Sequence, residues 1–167
     1  MTRPNDTNTT SILFICLGNI CRSCTAQTIM QSLVDEAGLT SVFEIDSAGI
    51  IDYHEGERAD SRMRRHARER GYDITHLSRP IHQADFAHFD LIIGMDEANI
   101  EALHRLAPDE ASKAKIHYMT EFCVNTSADV VPDPYYGGES GFELVLDTLE
   151  DACRGLLAAL TTNEKFA

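Results

Sequence analysis

Short runs of consecutive apolar residues alternate along this chain with longer segments in which apolar residues recur every three or four positions. The runs are typical of parallel strands covered on both faces, and the recurring spacing is typical of amphipathic helices. The predicted strands are 11–15, 42–47, 91–95 and 116–119, and the predicted helices are about 23–37, 59–70, 97–106 and 142–160. This order predicts an α/β fold, a three-layer sandwich with a four-stranded parallel sheet flanked by helices.

The length of 167 residues fits one domain with a substantial core. We expect a disordered polar leader at 1–10, a single domain at 11–162 and a C-terminal tail at 163–167. Residues 1–11 lack the apolar core of a signal peptide. Apolar runs also stay well short of the ~20 residues that span a bilayer.

The composition narrows the possible partners and the compartment. The chain has 14 Lys and Arg against 27 Asp and Glu, a formal charge of −13. Such a charge argues against binding to nucleic acid or to an anionic membrane surface. The five cysteines are odd in number and three crowd residues 16–24, unlike a disulfide scaffold. We therefore expect a cytoplasmic protein with reduced thiols.

The loop after the first predicted strand carries a candidate anion site, in a place where α/β folds bind their ligands. Its residues are Cys16, Leu17, Gly18, Asn19, Ile20, Cys21, Arg22 and Ser23. Gly18 and Asn19 are the residues best able to adopt a positive φ, so that successive N–H groups can point at one centre. The following helix contributes its N-terminus, and Arg22 can grip two phosphate oxygens. The loop is therefore predicted to bind phosphate.

Cys16 is the candidate nucleophile of this loop. The positive end of the helix and Arg22 favour its thiolate form near neutral pH, and Ser23 can donate a hydrogen bond to it. Backbone amides and a guanidinium can supply the charge that the reaction needs, so we expect no metal and no cofactor. A lone cysteine is more often a core residue, but a strand, a glycine-bearing curl, an arginine and a helix start together predict a phosphatase loop.

Two segments make the chain similar to a known family. The run ILFICLGNICRS, from Ile12 to Ser23, resembles the N-terminal signature of the low-molecular-weight protein tyrosine phosphatases. The run Asp133-Pro134-Tyr135-Tyr136-Gly137 resembles their general-acid loop, and segments 45–49 and 95–99 match in order and spacing. The resemblance covers residues 11 to about 160.

The resemblance implies a two-step hydrolysis of a phosphomonoester. Cys16 would attack phosphorus, Arg22 would bind the phosphate and stabilise the transition state, and Asp133 would act first as general acid and then as general base. Tyr135 and Tyr136 resemble an aromatic wall, which implies phosphotyrosine-containing proteins or small aryl phosphates as substrates. Tyr53 matches another wall position, although an exposed aromatic residue is equally often a surface residue without a function.

Further residues match supporting positions of the family. Ser47 and His76, with Asn19, match positions that hydrogen-bond to shape the loop, although His76 is also compatible with a surface histidine. Asp96 is expected to orient Arg22 or Ser23, or simply to cap the helix that begins at 97.

Redox control is a further implication of the resemblance. Cys21 matches a second loop cysteine that can form a reversible disulfide with the nucleophile, although a loop-packing thiol is the alternative. Cys24 stands where the family usually has proline, so the redox partner of Cys16 is open between Cys21 and Cys24, with Cys21 favoured. The arginines of segment 58–70 are interpreted as a solvated helix face, with a docking surface as the alternative.

Two other functions compete with a phosphatase. An arsenate reductase of the same fold would need a nearby downstream cysteine pair, and the distant Cys123 and Cys153 make a poor relay. A non-enzymatic phosphate-binding module would need neither a thiolate nor Asp133. The predicted acid loop favours the phosphatase.

Overall fold

A computed structural model describes residues 9–134 and 138–162 of the chain. The strands are β1 (Thr10–Cys16), β2 (Phe43–Gly49), β3 (Leu91–Gly94) and β4 (Ile116–Tyr118). The helices are α1 (Arg22–Glu36), α2 (Ser61–Glu69), α3 (Gln83–His88), α4 (Glu97–Leu106), α5 (Glu110–Lys113) and α6 (Gly138–Thr162).

The four strands form one parallel sheet in the order β2-β1-β3-β4. The predicted α/β fold with a four-stranded parallel sheet is therefore confirmed. β1 lies inside the sheet between β2 and β3, so its carboxyl end, at Cys16, opens onto the middle of one sheet edge. Ligands bind at such edges because the loops of neighbouring strands meet there.

The side chains of β1 alternate between two hydrophobic cores, one on each face of the sheet. Ile12 and Phe14 are fully buried in a core that includes residues of α1, α2 and α6. Leu13 and Ile15 are fully buried in a second core with Phe86 of α3 and Leu103 of α4. A strand buried on both faces reads as a continuous apolar run, which explains why β1 was predictable from its sequence.

The structure differs from the prediction in two short helices and in the ends of several elements. The two short helices α3 and α5 were missed, since α3 buries only Asp85 and Phe86 and offers no apolar periodicity. Residue 119 belongs to a 3₁₀ turn at Met119–Phe122 rather than to β4. α6 begins at Gly138, whereas the prediction placed its start at 142. Its first turn was missed because it is polar and exposed and adds nothing to the apolar pattern.

The arginine-rich segment 58–70 is partly solvent-exposed, with Arg58, Arg65 and Arg68 exposed, and two of its arginines also pair with α6. Arg65 lies 2.5 Å from Glu139 and Arg70 lies 2.6 Å from Glu143, both on α6. Arg62 pairs with Asp60 at 3.0 Å. Arg65 and Arg70 thus join this segment to α6, the helix that follows the predicted acid loop.

Within the described ranges, no helix combines the length and the apolar character that crossing a bilayer requires.

Candidate active site

The loop from Cys16 to Ser23 curls at the carboxyl end of β1, as predicted, but only one of its two flexible residues has a positive φ. Asn19 has a φ of 60°, while Gly18 lies outside the left-handed region. A Cβ on Gly18 would instead come within 3.0 Å of the His54 ring. Glycine is also required at position 49, because the loop backbone packs closely against it: a Cβ added there would lie 2.9 Å from the Leu17 carbonyl oxygen.

The buried side chain of Asn19 fixes the curl from inside the loop. Its Nδ2 donates to Ser23 Oγ at 2.8 Å and to Ser47 Oγ at 3.0 Å. Its Oδ1 accepts from His76 Nε2 at 2.9 Å and from the Arg79 backbone N–H at 3.0 Å. The structure thus brings together the three supporting positions Asn19, Ser47 and His76, and all four partners of Asn19 hold the loop in one shape.

His76 takes part in this arrangement as a neutral donor. Burial lowers the pKa of His76, and the nearby Asp46 carboxylate opposes that shift without reversing it. Since Asn19 Oδ1 can only accept, the proton of the neutral ring is on Nε2. Nδ1 lies 3.7 Å from Asp46 Oδ1. His76 is therefore partly buried against the loop rather than a free surface histidine.

Besides Arg79, two residues of this arrangement were not found by sequence reasoning. Gln27, one helical turn after Ser23 on α1, accepts the Ser47 hydroxyl through Oε1 at 2.6 Å. Ser78 donates its hydroxyl to the Gly18 carbonyl at 2.9 Å. The spacing of four residues between Ser23 and Gln27 was a usable signal, because such residues share a helix face. Ser78 lies in a loop distant in sequence and offered none.

Cys16 lies at the end of β1 beneath the curl. Its Sγ is 3.0 Å from Ser23 Oγ, and the residue is 3% exposed. Ser23 already accepts a hydrogen bond from Asn19. Its own hydroxyl proton can therefore be directed at a Cys16 thiolate, in which case Ser23 is the donor of this contact.

Arg22 connects the loop to two other parts of the site. Its Nη1 donates to Asp96 Oδ2 at 2.6 Å and to the Val131 carbonyl at 3.0 Å. Its Nη2 lies 3.7 Å from Asp133 Oδ2. Burial alone would lower the pKa of Arg22, but Cys16, Asp96 and Asp133 outweigh burial and raise it. The guanidinium is thus a fixed positive charge beside Cys16.

Asp96 performs both of the tasks expected for it. One carboxylate oxygen accepts from Arg22, and the other accepts the Asn99 N–H at 2.9 Å at the N-terminus of α4. Next to it, the Met95 carbonyl accepts the Val131 N–H at 2.9 Å. The end of β3 therefore holds both the guanidinium and the loop that leads to Asp133.

A cavity of about 250 Å³ opens above this arrangement. Cys16, Cys21, Arg22 and Asp133 line its polar part, and the rim carries Leu17, Ile51, Tyr53 and His54. Tyr53 is highly exposed and meets His54 edge to face, with ring centroids 4.8 Å apart. The predicted wall residues Tyr135 and Tyr136 lie outside the described residues. A small anion carrying one apolar or aromatic group fits a cavity of this size and lining.

Comparison with known proteins shows the family. The family model described as low molecular weight phosphotyrosine protein phosphatase matches residues 11–166. The chain belongs to this family. It is 42% identical to a low molecular weight protein-tyrosine-phosphatase of Streptomyces coelicolor, over 89% of this chain and 92% of that protein. A low molecular weight phosphotyrosine protein phosphatase 1 of Drosophila melanogaster is 40% identical over 87% of this chain and 94% of its own length.

A solved structure gives the same result for the fold. A protein tyrosine phosphatase of Entamoeba histolytica, crystallised with Hepes in the active site, superposes with a TM-score of 0.91 at 46% identity. The match covers 93% of this chain and 99% of that one. These matches confirm the resemblance drawn from the two signatures. The members of this phosphatase family are hydrolases.

The remaining thiols of this phosphatase differ in their access to the cavity. Cys21 lines the cavity, and burial, together with Asp60 and the neighbouring thiols, raises its pKa. Cys24 is fully buried, and its Sγ donates to the Cys21 carbonyl at 3.5 Å. Cys123 and Cys153 contact carbonyls of Thr148 and Ala26 instead. The structure thus gives no support to a cysteine relay through the last two.

Proposed function

We propose that this phosphatase hydrolyses aryl phosphomonoesters, and phosphotyrosine in proteins above all, through a phosphocysteine intermediate on Cys16. One observation carries the proposal: Cys16 Sγ, the Arg22 guanidinium and the Asp133 carboxylate line one cavity of about 250 Å³. A nucleophile, a bidentate anion binder and a proton donor are the groups that this reaction needs at one phosphorus atom.

In the first step the Cys16 thiolate attacks phosphorus, forming an S–P bond as the P–O bond to the aryl group breaks. The Asp133 carboxyl transfers its proton to the departing phenolate oxygen. Arg22 and the N–H groups of the loop bind the phosphoryl oxygens as their charge redistributes. Arg22 is already held in place by Asp96 and by the Val131 carbonyl.

In the second step Asp133, now a carboxylate, takes a proton from a water molecule. The hydroxide attacks phosphorus and the S–P bond breaks, which releases phosphate and restores the Cys16 thiolate. Ser23 Oγ, 3.0 Å from Sγ, can stabilise that thiolate by donating a hydrogen bond. This contact makes sulfur a better leaving group in the second step.

The rim of the cavity supports an aryl substrate. Leu17, Ile51 and Tyr53 are exposed apolar residues beside an otherwise polar cavity floor. Ile51 is fixed to the loop, because its N–H donates to the Leu17 carbonyl at 3.0 Å. A phenyl ring bound between these side chains would be held with its phosphate towards Cys16.

Reversible oxidation of Cys16 is a second element of the proposal. Peroxide would convert the thiolate to a sulfenic acid, and attack by the Cys21 sulfur would release water and form a disulfide. Cys21 is favoured over Cys24 because it lines the same cavity as Cys16. All five cysteines are free thiols, which suits the reducing cytoplasm that we propose as the location.

The covalent mechanism is tested by two variants and a series of aryl phosphates. Cys16→Ser should abolish turnover but retain binding of inorganic phosphate, since the loop amides and Arg22 remain. Asp133→Ala should lower kcat about 10²–10⁴-fold for poor leaving groups and far less for p-nitrophenyl phosphate. An active Cys16→Ser enzyme would refute the mechanism, and an equal loss for every leaving group would refute the acid role.

The redox element has its own test. After peroxide treatment, peptide mapping should find a Cys16–Cys21 disulfide that thiols reverse, and Cys21→Ser should recover less activity after reduction. Cys24→Ser is the matched control and should behave like the unmodified chain. A Cys16–Cys24 link would show that the assignment is wrong.

A further inference from the structure

Four backbone carbonyls in the loop from Cys16 to Ser23 accept hydrogen bonds from other segments of the chain. The pairs are Cys16 with the Ile50 N–H at 3.0 Å, Leu17 with the Ile51 N–H at 3.0 Å, Gly18 with the Ser78 hydroxyl at 2.9 Å, and Ile20 with the Asp60 N–H at 2.8 Å. Three of these donors are backbone N–H groups, which every residue except proline provides. Ser78 is the one of the four donors that acts through its side chain.

The contact with Ser78 also determines where the next N–H of the loop points. In a planar trans peptide the C=O and the N–H that follows it point in opposite directions. Gly18 lines the cavity, whereas Ser78 is 3% exposed and contacts the loop from the protein interior. Because the Gly18 carbonyl is turned towards Ser78, the Asn19 N–H is turned towards the cavity side of the loop.

The Gly18–Asn19 peptide is the one in this loop that most needs such a contact. Asn19 has a φ of 60°, and half a turn of this peptide would bring that angle to the negative values that L-residues ordinarily adopt. Glycine before it permits either orientation. The local backbone preference therefore favours the reversed peptide, in which the N–H would point away from a bound anion.

Ser78 can oppose this reversal because its own backbone is held on both sides. Its N–H donates to the Glu57 carbonyl at 2.8 Å, and its carbonyl accepts the Gly56 N–H at 2.8 Å. The Gly18 carbonyl can only accept, so the Ser78 hydroxyl is the donor in their contact. A short side chain on a fixed backbone loses little conformational freedom when it makes this bond.

We propose that Ser78 is a positioning residue that holds the Gly18–Asn19 peptide with its N–H towards the phosphoryl group, so that the Asn19 amide binds a phosphoryl oxygen in both steps of the reaction. This inference rests on the phosphate site proposed above and adds the residue that orients one of its amides. A donor held in advance is effective because it need not reorient as charge develops on the oxygens.

Binding of inorganic phosphate tests this orientation without an aryl group and without chemistry. In a Cys16→Ser protein, calorimetric titration should give a dissociation constant for phosphate that rises about tenfold when Ser78→Ala is added, the effect of one hydrogen bond to a charged group. In ¹H–¹⁵N spectra, phosphate should shift the Asn19 amide proton strongly when Ser78 is present and much less when alanine replaces it.

Two further variants separate orientation from stability. Ser11 is also a buried serine whose hydroxyl donates to a backbone carbonyl, that of His88 at 3.2 Å, but it lies near the opposite end of β1 from Cys16. Ser11→Ala should therefore lower the urea midpoint while changing the phosphate affinity less than twofold. Ser78→Cys keeps a side chain of similar size with only a weak donor, so it should lose affinity even if Ser78→Ala is too unstable to measure.

Kinetics distinguish an oriented amide from an effect on the acid. With Cys16 in place, Ser78→Ala should lower kcat/KM about 10–10²-fold, and by the same factor for p-nitrophenyl phosphate and for poor leaving groups. The factor is the same because the Asn19 N–H binds an oxygen that stays on phosphorus. A loss confined to poor leaving groups would assign the effect of Ser78 to Asp133 and refute the orientation of the amide.

The binding experiment separates failure of this inference from failure of the proposed function. If the Cys16→Ser protein binds phosphate and Ser78→Ala binds it equally well, the role of Ser78 is refuted and the phosphate site remains. An equal loss of affinity in Ser11→Ala, or an Asn19 amide that phosphate does not shift, would refute that role as well. If Cys16→Ser itself fails to bind phosphate, the proposed site is wrong and the role of Ser78 is overturned with it.

Discussion

Replacing Asn19 is expected to be the most damaging single change in the loop that does not remove a reacting group. Its side chain is buried, makes four hydrogen bonds and belongs to a residue with a φ of 60°. Asn19→Ala removes all four hydrogen bonds. It also leaves alanine in the left-handed region, which asparagine tolerates better because its polar side chain can hydrogen-bond locally.

The magnitude follows from which partners are left without a contact. Ser23 keeps its contact with Cys16, and Ser47 keeps its contact with Gln27. The His76 Nε2–H and the Arg79 backbone N–H lose their only acceptor in this arrangement, at about 1–3 kcal/mol each. The left-handed backbone adds about 1 kcal/mol. We expect a loss of about 3–7 kcal/mol in the free energy of unfolding, much of a typical 5–15 kcal/mol.

Urea unfolding of Asn19→Ala and Asn19→Gly separates the two causes. Glycine tolerates the backbone conformation but makes no side-chain hydrogen bonds, and it costs about 0.5–1 kcal/mol through the unfolded chain. The two variants should therefore lie within about 1 kcal/mol of each other, and kcat/KM should fall on the order of 10²-fold in both. Asn19→Gly with normal stability would refute the reasoning, since the backbone alone would then explain the asparagine.

Three further changes test other contacts. Gly49→Ala places a Cβ 2.9 Å from the Leu17 carbonyl, so kcat/KM should fall on the order of tenfold in a folded protein; unchanged kinetics would contradict this. Burial raises the pKa of Asp151, but the hydrogen bonds that its carboxylate accepts from the backbone N–H groups of 124–126 outweigh burial and lower the pKa. Its stabilisation is present above the ordinary carboxyl pKa and lost as pH falls, so Asp151→Asn should cost about 2 kcal/mol at pH 7 and less below about pH 4 in urea titrations. Gln27→Leu should cost about 1 kcal/mol in the same assay, whereas Gln27→Glu, which keeps the acceptor, should not.

The fold was largely predictable because its strongest elements follow simple patterns. β1 lies between two cores and is apolar throughout, while α4 was placed at 97–106, the range that the structure shows. α3 and α5 were missed because each is shorter than two turns, too short for a periodic pattern. The first turn of α6 is polar and exposed, so it carries no apolar signal, and the pairing of its Glu139 with Arg65 leaves no local signal either.

The candidate site was predictable where it is contiguous. The residues that suggested an anion site with a nucleophile all lie in the run from Cys16 to Ser23, so residue types alone were enough to predict it. The role of Asp133 as the acid was predicted only from the resemblance, because an aspartate between two prolines is usually a turn residue. Ser78 was not found, because its contact is a hydroxyl donated to the backbone oxygen of Gly18 across 60 positions of sequence.

The ion pairs of Arg65 and Arg70 with α6 could not be predicted for the same physical reason. Their periodicity and charge fit a solvated face, but α6 presents a matching row of carboxylates, and sequence patterns of one helix cannot show which helix it meets. Arg65 pairs with one carboxylate of α6 and Arg70 with three, so both arginines are engaged where the two helices meet. Among the described residues that line the cavity, Arg22 is the one that carries a guanidinium. Because Arg22 also donates to the Val131 carbonyl at 3.0 Å, the residue that we propose as the phosphate binder is hydrogen-bonded to the loop that leads to Asp133.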